Sequence, residues 1–325
     1  MKAIVLEAHG GPEQLRLKDV DRRDPGAGEV RVEVAAAGVN FMDTGTRRGY
    51  PGGPTNLPLT PGVEGAGRIA ELGEGVTRFR VGDRVAWYFV WGSYAEEVIA
   101  PIDQLVSLPD DIDFETAAAL MMQGLTASNL VFESHMLRPG DTALVHAAAG
   151  GVGLLLTQMV RLLGGRVIGR VSNSQKVALA KAAGASHLIV DRSGRFAAEV
   201  LRLTGNDGVQ VVYDGSGAEG FEDSLAVVDF HGTLALYGPL FDQPMPALSI
   251  WDIPRSIKVT YPVVLDHCRT HERLVANANR LFDWVRAGDL KLTIGKRYAL
   301  SDAEHAHRDI ESRRSTGKLL LLPNT

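Results

Sequence analysis

The chain has 325 residues, 45% hydrophobic and 22% charged, with 34 basic against 39 acidic side chains for a net charge of −5. This ordinary globular composition suffices for two cores, and a sequence pI near 6.0 with no long basic run argues against a nucleic-acid surface. The first apolar run breaks at Glu7 and His9, so no signal peptide is expected; no segment has the roughly eighteen apolar residues of a membrane helix, and a lone Cys268 excludes an internal disulfide and points to a reducing, cytoplasmic setting.

Residues 1 to about 123 read as short strands broken by glycine and proline: KAIVLEA, the alternating EVRVEVAAAGV, then GVEGAGRIAELG, RVAWYF and SYAEEVIA. The spacing predicts an all-β, barrel-like section. From Leu125 a helical run to Phe132 leads into an apolar strand over 142–146, a glycine turn and an apolar helix over about 152–163. Strand-like RVIGRV, HLIV, VQVVYD, TLALYG and IKVTYPVV then alternate with helical stretches starting near Ser174, Arg195 and Gly220, a succession that folds into a doubly wound parallel sheet. After about 265 come a long amphipathic helix over 270–287, KLTIGKRYAL, a helix over 302–313 and a closing KLLLLP. The expected class is α/β, with 1–123 and 265–325 forming one domain around an inserted 124–264.

The turn after the first parallel strand, VHAAAGGVG, puts Ala148, Gly150 and Gly153 at the three small-residue positions of a dinucleotide-binding fingerprint, with Gly151 and Val152 between them. Small residues let the amides at a helix start approach a pyrophosphate. An NAD-preferring site has an acid about twenty residues on; here that position is Arg170, and 142–190 hold no Asp or Glu. Arg170 is expected to bind the cofactor, while Ser172, Asn173 and Ser174 offer hydroxyl and amide donors and Lys176 an ammonium to a 2′-phosphate; the alternative is that Ser172 or Ser174 caps the following helix and Lys176 is solvated, and NADPH is expected over NADH.

These residues resemble the quinone oxidoreductase, zeta-crystallin-like, branch of the zinc-independent medium-chain dehydrogenases/reductases. GDTALVHAAAGGVGLLLTQMVR (140–161) fits that pattern, and the likeness extends through GVNFMDT, LPLTPGVEGAG, VGDRV, QGLTA, FDWVRAGDLK and TGKLLLLP. It implies a GroES-like barrel with a Rossmann domain, usually a homodimer, with IKVTYPVV a suitable edge. Where zinc-dependent relatives carry a cysteine and a histidine, this chain has the GVNFMDT segment and Val63, so no zinc is expected; His267, His271, His305 and His307 are read as ordinary surface or core residues.

Without a metal, hydride passes from a nicotinamide to an electron-poor acceptor in a cleft lined by protein donors. The resemblance offers Asn40 and Tyr50 as catalytic hydrogen-bond or proton donors, Asp43 and Leu240 as further substrate contacts, and Thr126, Gly238 and Lys318 beside the dinucleotide, with Arg192 near the adenosine phosphate. Glu64 is assigned a supporting task only. Two departures stand out: relatives commonly carry tyrosine at the positions of Gly45 and Asp191. The first opens the substrate pocket; the second puts an acid beside a phosphate unless Arg170 or Arg192 compensates. The expected activity is NADPH:quinone reduction. Reduction of an enone or enoyl-thioester double bond is the alternative, and a nucleotide-binding sensor, RNA-binding or crystallin-like protein the non-enzymatic one.

Overall fold

The computed structural model describes residues 1–50, 53–54, 56–238 and 247–324. In chain order the first elements are β1 (Lys2–Leu6), β2 (Leu15–Asp19), β3 (Glu29–Val39), α1 (Phe41–Arg48), β4 (Glu64–Leu72), β5 (Arg84–Tyr88), β6 (Glu97–Pro101), β7 (Leu105–Ser107) and α2 (Phe114–Asn129). Then follow β8 (Thr142–Val145), α3 (Gly151–Leu162), β9 (Arg166–Val171), α4 (Val177–Ala183), β10 (His187–Val190), α5 (Ala197–Leu203), β11 (Val209–Asp214), α6 (Phe221–Ala226), β12 (Val228–Leu236) and β13 (Lys258–Thr260). The chain closes with α7 (Val264–His267), α8 (His271–Arg286), β14 (Ile294–Ala299), α9 (Ala303–Glu311) and β15 (Lys318–Leu322). Two compact units result: 1–123 with 268–288 and 292–325, and 124–267 with 289–291.

In the first unit a mixed sheet runs β14-β15-β3-β4-β5-β7, with β6 on β3. β3 explains itself: Val30, Val32 and Val34 alternate inward, and beyond Ala36 both faces are covered. Its later residues pair with β15, whose run KLLLL is buried almost throughout, so the carboxyl-terminal strand completes this sheet. Trp87, fully buried, donates its indole N–H to Ser93 Oγ at 2.9 Å, which satisfies the one polar atom of a large core side chain. The expectation that 1–123 is purely β is corrected by α1 and by the early start of α2. FMDTGTRR contains a glycine and two threonines, poor helix formers, so local propensity conceals α1; its support comes from Asp43, which accepts the Asn40 backbone N–H at 2.8 Å, and from a left-handed Gly49 at its end.

The second unit is built on a six-stranded, wholly parallel sheet in the order β10-β9-β8-β11-β12-β13. Numbered from β8, this is 3-2-1-4-5-6, the doubly wound order whose direction of progression reverses between β8 and β11. Buried Val, Ile and Leu from β8, β9, β11 and β12 pack against Phe196, Val200, Phe221 and Leu225 of the covering segments. β13 forms one edge, with exposed Ile250, Trp251 and Tyr261 near it in sequence and exposed Phe230 on the neighbouring β12.

Candidate active site

In the second unit β8 ends at Val145 and the chain turns through His146–Gly150 into α3. Ala147 carries a φ of 47°, left-handed backbone that costs an alanine about 1–2 kcal/mol. Strain of this kind persists where surrounding structure enforces it. Gly150 N–H closes the turn onto Ala147 O at 2.7 Å, and a Cβ on Gly153 would lie 2.3 Å from that same oxygen. The turn therefore accepts only glycine at 153. No acidic residue sits in the first turn of α3, so the positive end of the helix dipole is uncompensated where Gly151, Val152 and Gly153 present their amides.

Across the switch point, β11 ends at Asp214, whose carbonyl accepts the N–H groups of Tyr237 and Gly238. A Cβ on Gly238 would meet the Gly215 carbonyl carbon at 2.5 Å, so the ends of β11 and β12 approach as closely as glycine permits. Asp214 and His146 form a fully buried pair with 3.1 Å between Oδ1 and Nδ1. Burial pushes the Asp214 carboxyl up, but His146, the Ser216 amide and the Ser224 hydroxyl outweigh it and hold it below its ordinary range. Ser224 gives its hydroxyl hydrogen to Asp214 at 2.8 Å and is itself buried, so this Ser-His-Asp grouping braces the turn and has no nucleophile geometry.

At the end of β9, Ser172, Asn173 and Lys176 are half-buried. Among the described residues Asn173 Oδ1 is a buried acceptor without a hydrogen-bond partner, and burial lowers the affinity of Lys176 for its proton. An orphan acceptor and a partly desolvated cation at this place suit a ribose hydroxyl and a phosphate. Arg192 is exposed, whereas Arg170 is buried and bonded to Asp191, so the acid at 191 has the compensating base its position requires. Thr126 lies half-buried on α2. Leu240 lies outside the described residues.

In the first unit the structure brings Asn40 and Lys318 together around Glu64, expected from the sequence to have a supporting task only, with Asp43 bonded to the Asn40 backbone. Glu64, fully buried, accepts the Lys318 ammonium, the Asn40 side-chain amide at 2.6 Å and the Met122 backbone N–H at 2.7 Å. Lys318, 1% exposed, also donates to Asn40 Oδ1 at 2.9 Å. Both ends of the Asn40 amide are thus engaged inside the unit. Tyr50 is 37% exposed, just past the end of α1.

A second network fixes α1 from below. Arg47 can only donate, so His307 Nδ1 accepts from its Nη1 at 3.1 Å; His307 Nε2 then carries the ring hydrogen toward Tyr94 Oη at 3.2 Å, and Tyr94 donates to Asp43 Oδ2 at 2.8 Å. Burial, with Arg47 and Arg48 beside it, lowers His307 to about 3, which keeps the ring neutral. Arg47 is held in turn by Glu311 at 2.6 and 3.2 Å. Burial pushes the Asp43 carboxyl up to about 7, against the Asn40 amide and Tyr94 hydroxyl that favour its ionised form.

Below about pH 4 Asp43 is neutral in both folded and unfolded chains. As pH rises toward 7 the unfolded chain loses that proton first, so this group's contribution to stability declines through that window and is smallest above it. The melting temperature of the native chain is expected to fall relative to Asp43→Asn between pH 5 and pH 8; parallel melting profiles would refute this.

Two family models cover much of the chain: an alcohol dehydrogenase GroES-like domain over residues 26–110 and a zinc-binding dehydrogenase domain over 151–269. A quinone oxidoreductase of Pseudomonas aeruginosa is 41% identical over 99% of both chains. The chain belongs to the quinone oxidoreductase family of the medium-chain dehydrogenase/reductase superfamily. A 2-haloacrylate reductase of Burkholderia is 35% identical over 99% of this chain and 98% of its own. The crystal structure of Escherichia coli quinone oxidoreductase complexed with NADPH superposes with a TM-score of 0.95 at 35% identity, over 99% of this chain and 100% of that one. Among the described residues no group of three or more His, Cys, Asp or Glu side chains could hold a metal ion.

Proposed function

We propose that this protein is a zinc-independent, NADPH-dependent oxidoreductase that reduces quinones. The observation that carries the reading is the glycine turn at 150–153, opening an unopposed helix N-terminus beside the switch point of a wholly parallel sheet. NADPH in the Escherichia coli relative supports the choice of cofactor, and the absence of Asp or Glu between 142 and 190 agrees with it.

When bound, the reduced nicotinamide supplies a hydride. The chain's own residues do the rest. Amides of Gly151, Val152 and Gly153 bind the pyrophosphate; Ser172, Asn173, Lys176 and Arg192 hold the adenosine ribose and its phosphate; Thr126 and Gly238 lie along the remainder. Asn40 and Asp43 shape the substrate side, with Lys318 and Glu64 fixing Asn40 in place. Tyr50, 37% exposed, supplies a hydrogen bond or proton to the oxygen of a reduced quinone. Reduction of an activated carbon-carbon double bond is the second reading, favoured by the 2-haloacrylate reductase relative.

The chain acts as a homodimer in the cytoplasm, in this reading. Phe230, Ile250, Trp251 and Tyr261 leave an apolar border near the β13 edge, the lone cysteine suits a reducing compartment, and no described helix is long and apolar enough to cross a membrane. Purified protein should consume NADPH at 340 nm with simple quinones and sediment at twice the chain mass. Turnover with 2-haloacrylates or enones and none with quinones would install the second reading, and no turnover with either would remove both. A monomer at micromolar concentration would remove the dimer.

A further inference from the structure

The carboxyl end of β9 is where this fold places the side chain that meets the adenosine ribose. Here it is Arg170, 6% exposed and turned inward. Its Nε and Nη2 donate to Asp191 Oδ2 at 2.9 and 2.8 Å, its Nη1 to Ser216 Oγ at 3.2 Å, and its guanidinium carbon lies 4.8 Å from the centre of the Phe196 ring. Asp191 is equally committed. Its Oδ1 accepts the backbone N–H and hydroxyl of Ser193 at 3.0 and 2.7 Å, and its Oδ2 also takes the Gly194 N–H at 3.0 Å. Partial burial opposes its charge, but Ser193 and Arg170 outweigh that and bring the carboxyl to about 2, so it stays ionised. A phosphate approaching this corner therefore meets a closed ion pair.

We infer that Asp191 sets the preference of this chain between phosphorylated and unphosphorylated dinucleotide, by drawing the Arg170 guanidinium away from the adenosine 2′-phosphate and leaving that group to Ser172, Asn173, Lys176 and Arg192. This rests on the reading of the chain as an NADPH oxidoreductase. Asp191 is a specificity residue acting through Arg170, and it makes the enzyme less selective for NADPH than its basic surroundings suggest. Arg170, by position the obvious phosphate anchor, is a brace between the ends of β9, β10 and β11.

The test is titration calorimetry with NADPH and with NADH on full-length protein. Asp191→Asn keeps Oδ1 for the Ser193 donors but puts an amide NH2 in place of the Oδ2 that Gly194 and Arg170 share, removing the charge and the acceptor that hold Arg170. Its Kd for NADPH is expected to tighten about tenfold, as one released charge-assisted hydrogen bond allows, with NADH moving less than about twofold. Arg170→Gln in the native chain should change the NADPH-to-NADH ratio of Kd values by less than about threefold, yet erase the gain when combined with Asp191→Asn. Equal shifts for both nucleotides in Asp191→Asn, or a selective loss of NADPH in Arg170→Gln alone, would overturn the inference while leaving the proposed function standing. The single Arg170→Gln variant decides the matter should Asp191→Asn fold poorly. Native protein that binds neither nucleotide would remove the functional reading and this inference with it.

Discussion

Replacing Lys318 by methionine is expected to cost about 3–5 kcal/mol of stability, because it strands a fully buried Glu64 carboxylate with no cation to balance it. The Asn40 amide and the Met122 N–H would still reach that carboxylate, at 2.6 and 2.7 Å, but two neutral donors do not offset an uncompensated charge in a dry interior. Such a loss is a large part of the roughly 5–15 kcal/mol that holds a typical protein folded. Exchanging both partners, Lys318→Met with Glu64→Gln, should recover most of it, since a buried pair removed together leaves no orphan charge. Urea unfolding at constant m value measures both variants. A Lys318→Met protein with a native midpoint but weakened NADPH binding would make Lys318 a cofactor contact and its pairing with Glu64 incidental.

The residues of that pair illustrate how far the sequence could be read. Strands whose burial repeats every second residue, such as β3, and the parallel strands bounded by glycine or polar turns, β9, β10 and β11, were legible because their pattern is local. The glycine turn was legible because the steric demand at Gly153 is met by one residue type. Glu64 carries a weaker signal, an acid inside PGVEGAG, and Lys318 another, a cation heading KLLLL; each is odd in a buried strand, and they are 254 residues apart. Nothing local joins them. The same distance hides the chain Arg47–His307–Tyr94–Asp43, whose first link spans 260 residues, and so hides the reason that FMDTGTRR is helical. Asp191 was visible as an unwelcome charge near a phosphate, but that it would seize Arg170 depends on how β9 and β10 stand side by side, Arg170 against Ile189. Pairing between distant segments carried most of what the sequence concealed.

Gly153→Ala is expected to weaken NADPH binding about a hundredfold, the loss that follows when anchoring groups are displaced by about an ångström. The added methyl would lie 2.3 Å from Ala147 O, 2.9 Å from Ala147 C and 2.9 Å from Ala148 Cα. All three are backbone atoms, so no side chain can swing aside and α3 must back away from the turn. Ala147 already holds a φ of 47° and has little further room to yield. The stability change should be modest by comparison, because alanine in a helix is favoured over glycine by about 1 kcal/mol and offsets part of the displacement. Gly150→Ala provides the graded control: its Cβ would lie 3.1 Å from the same oxygen, at an extended φ of −80° that alanine adopts freely, so its binding loss should be the smaller. Calorimetric titration of both variants, beside their thermal melts, separates affinity from folding. Should Gly153→Ala bind NADPH as tightly as the native chain, the amides at the start of α3 do not hold the pyrophosphate, and the turn that carries the proposed function is a packing device.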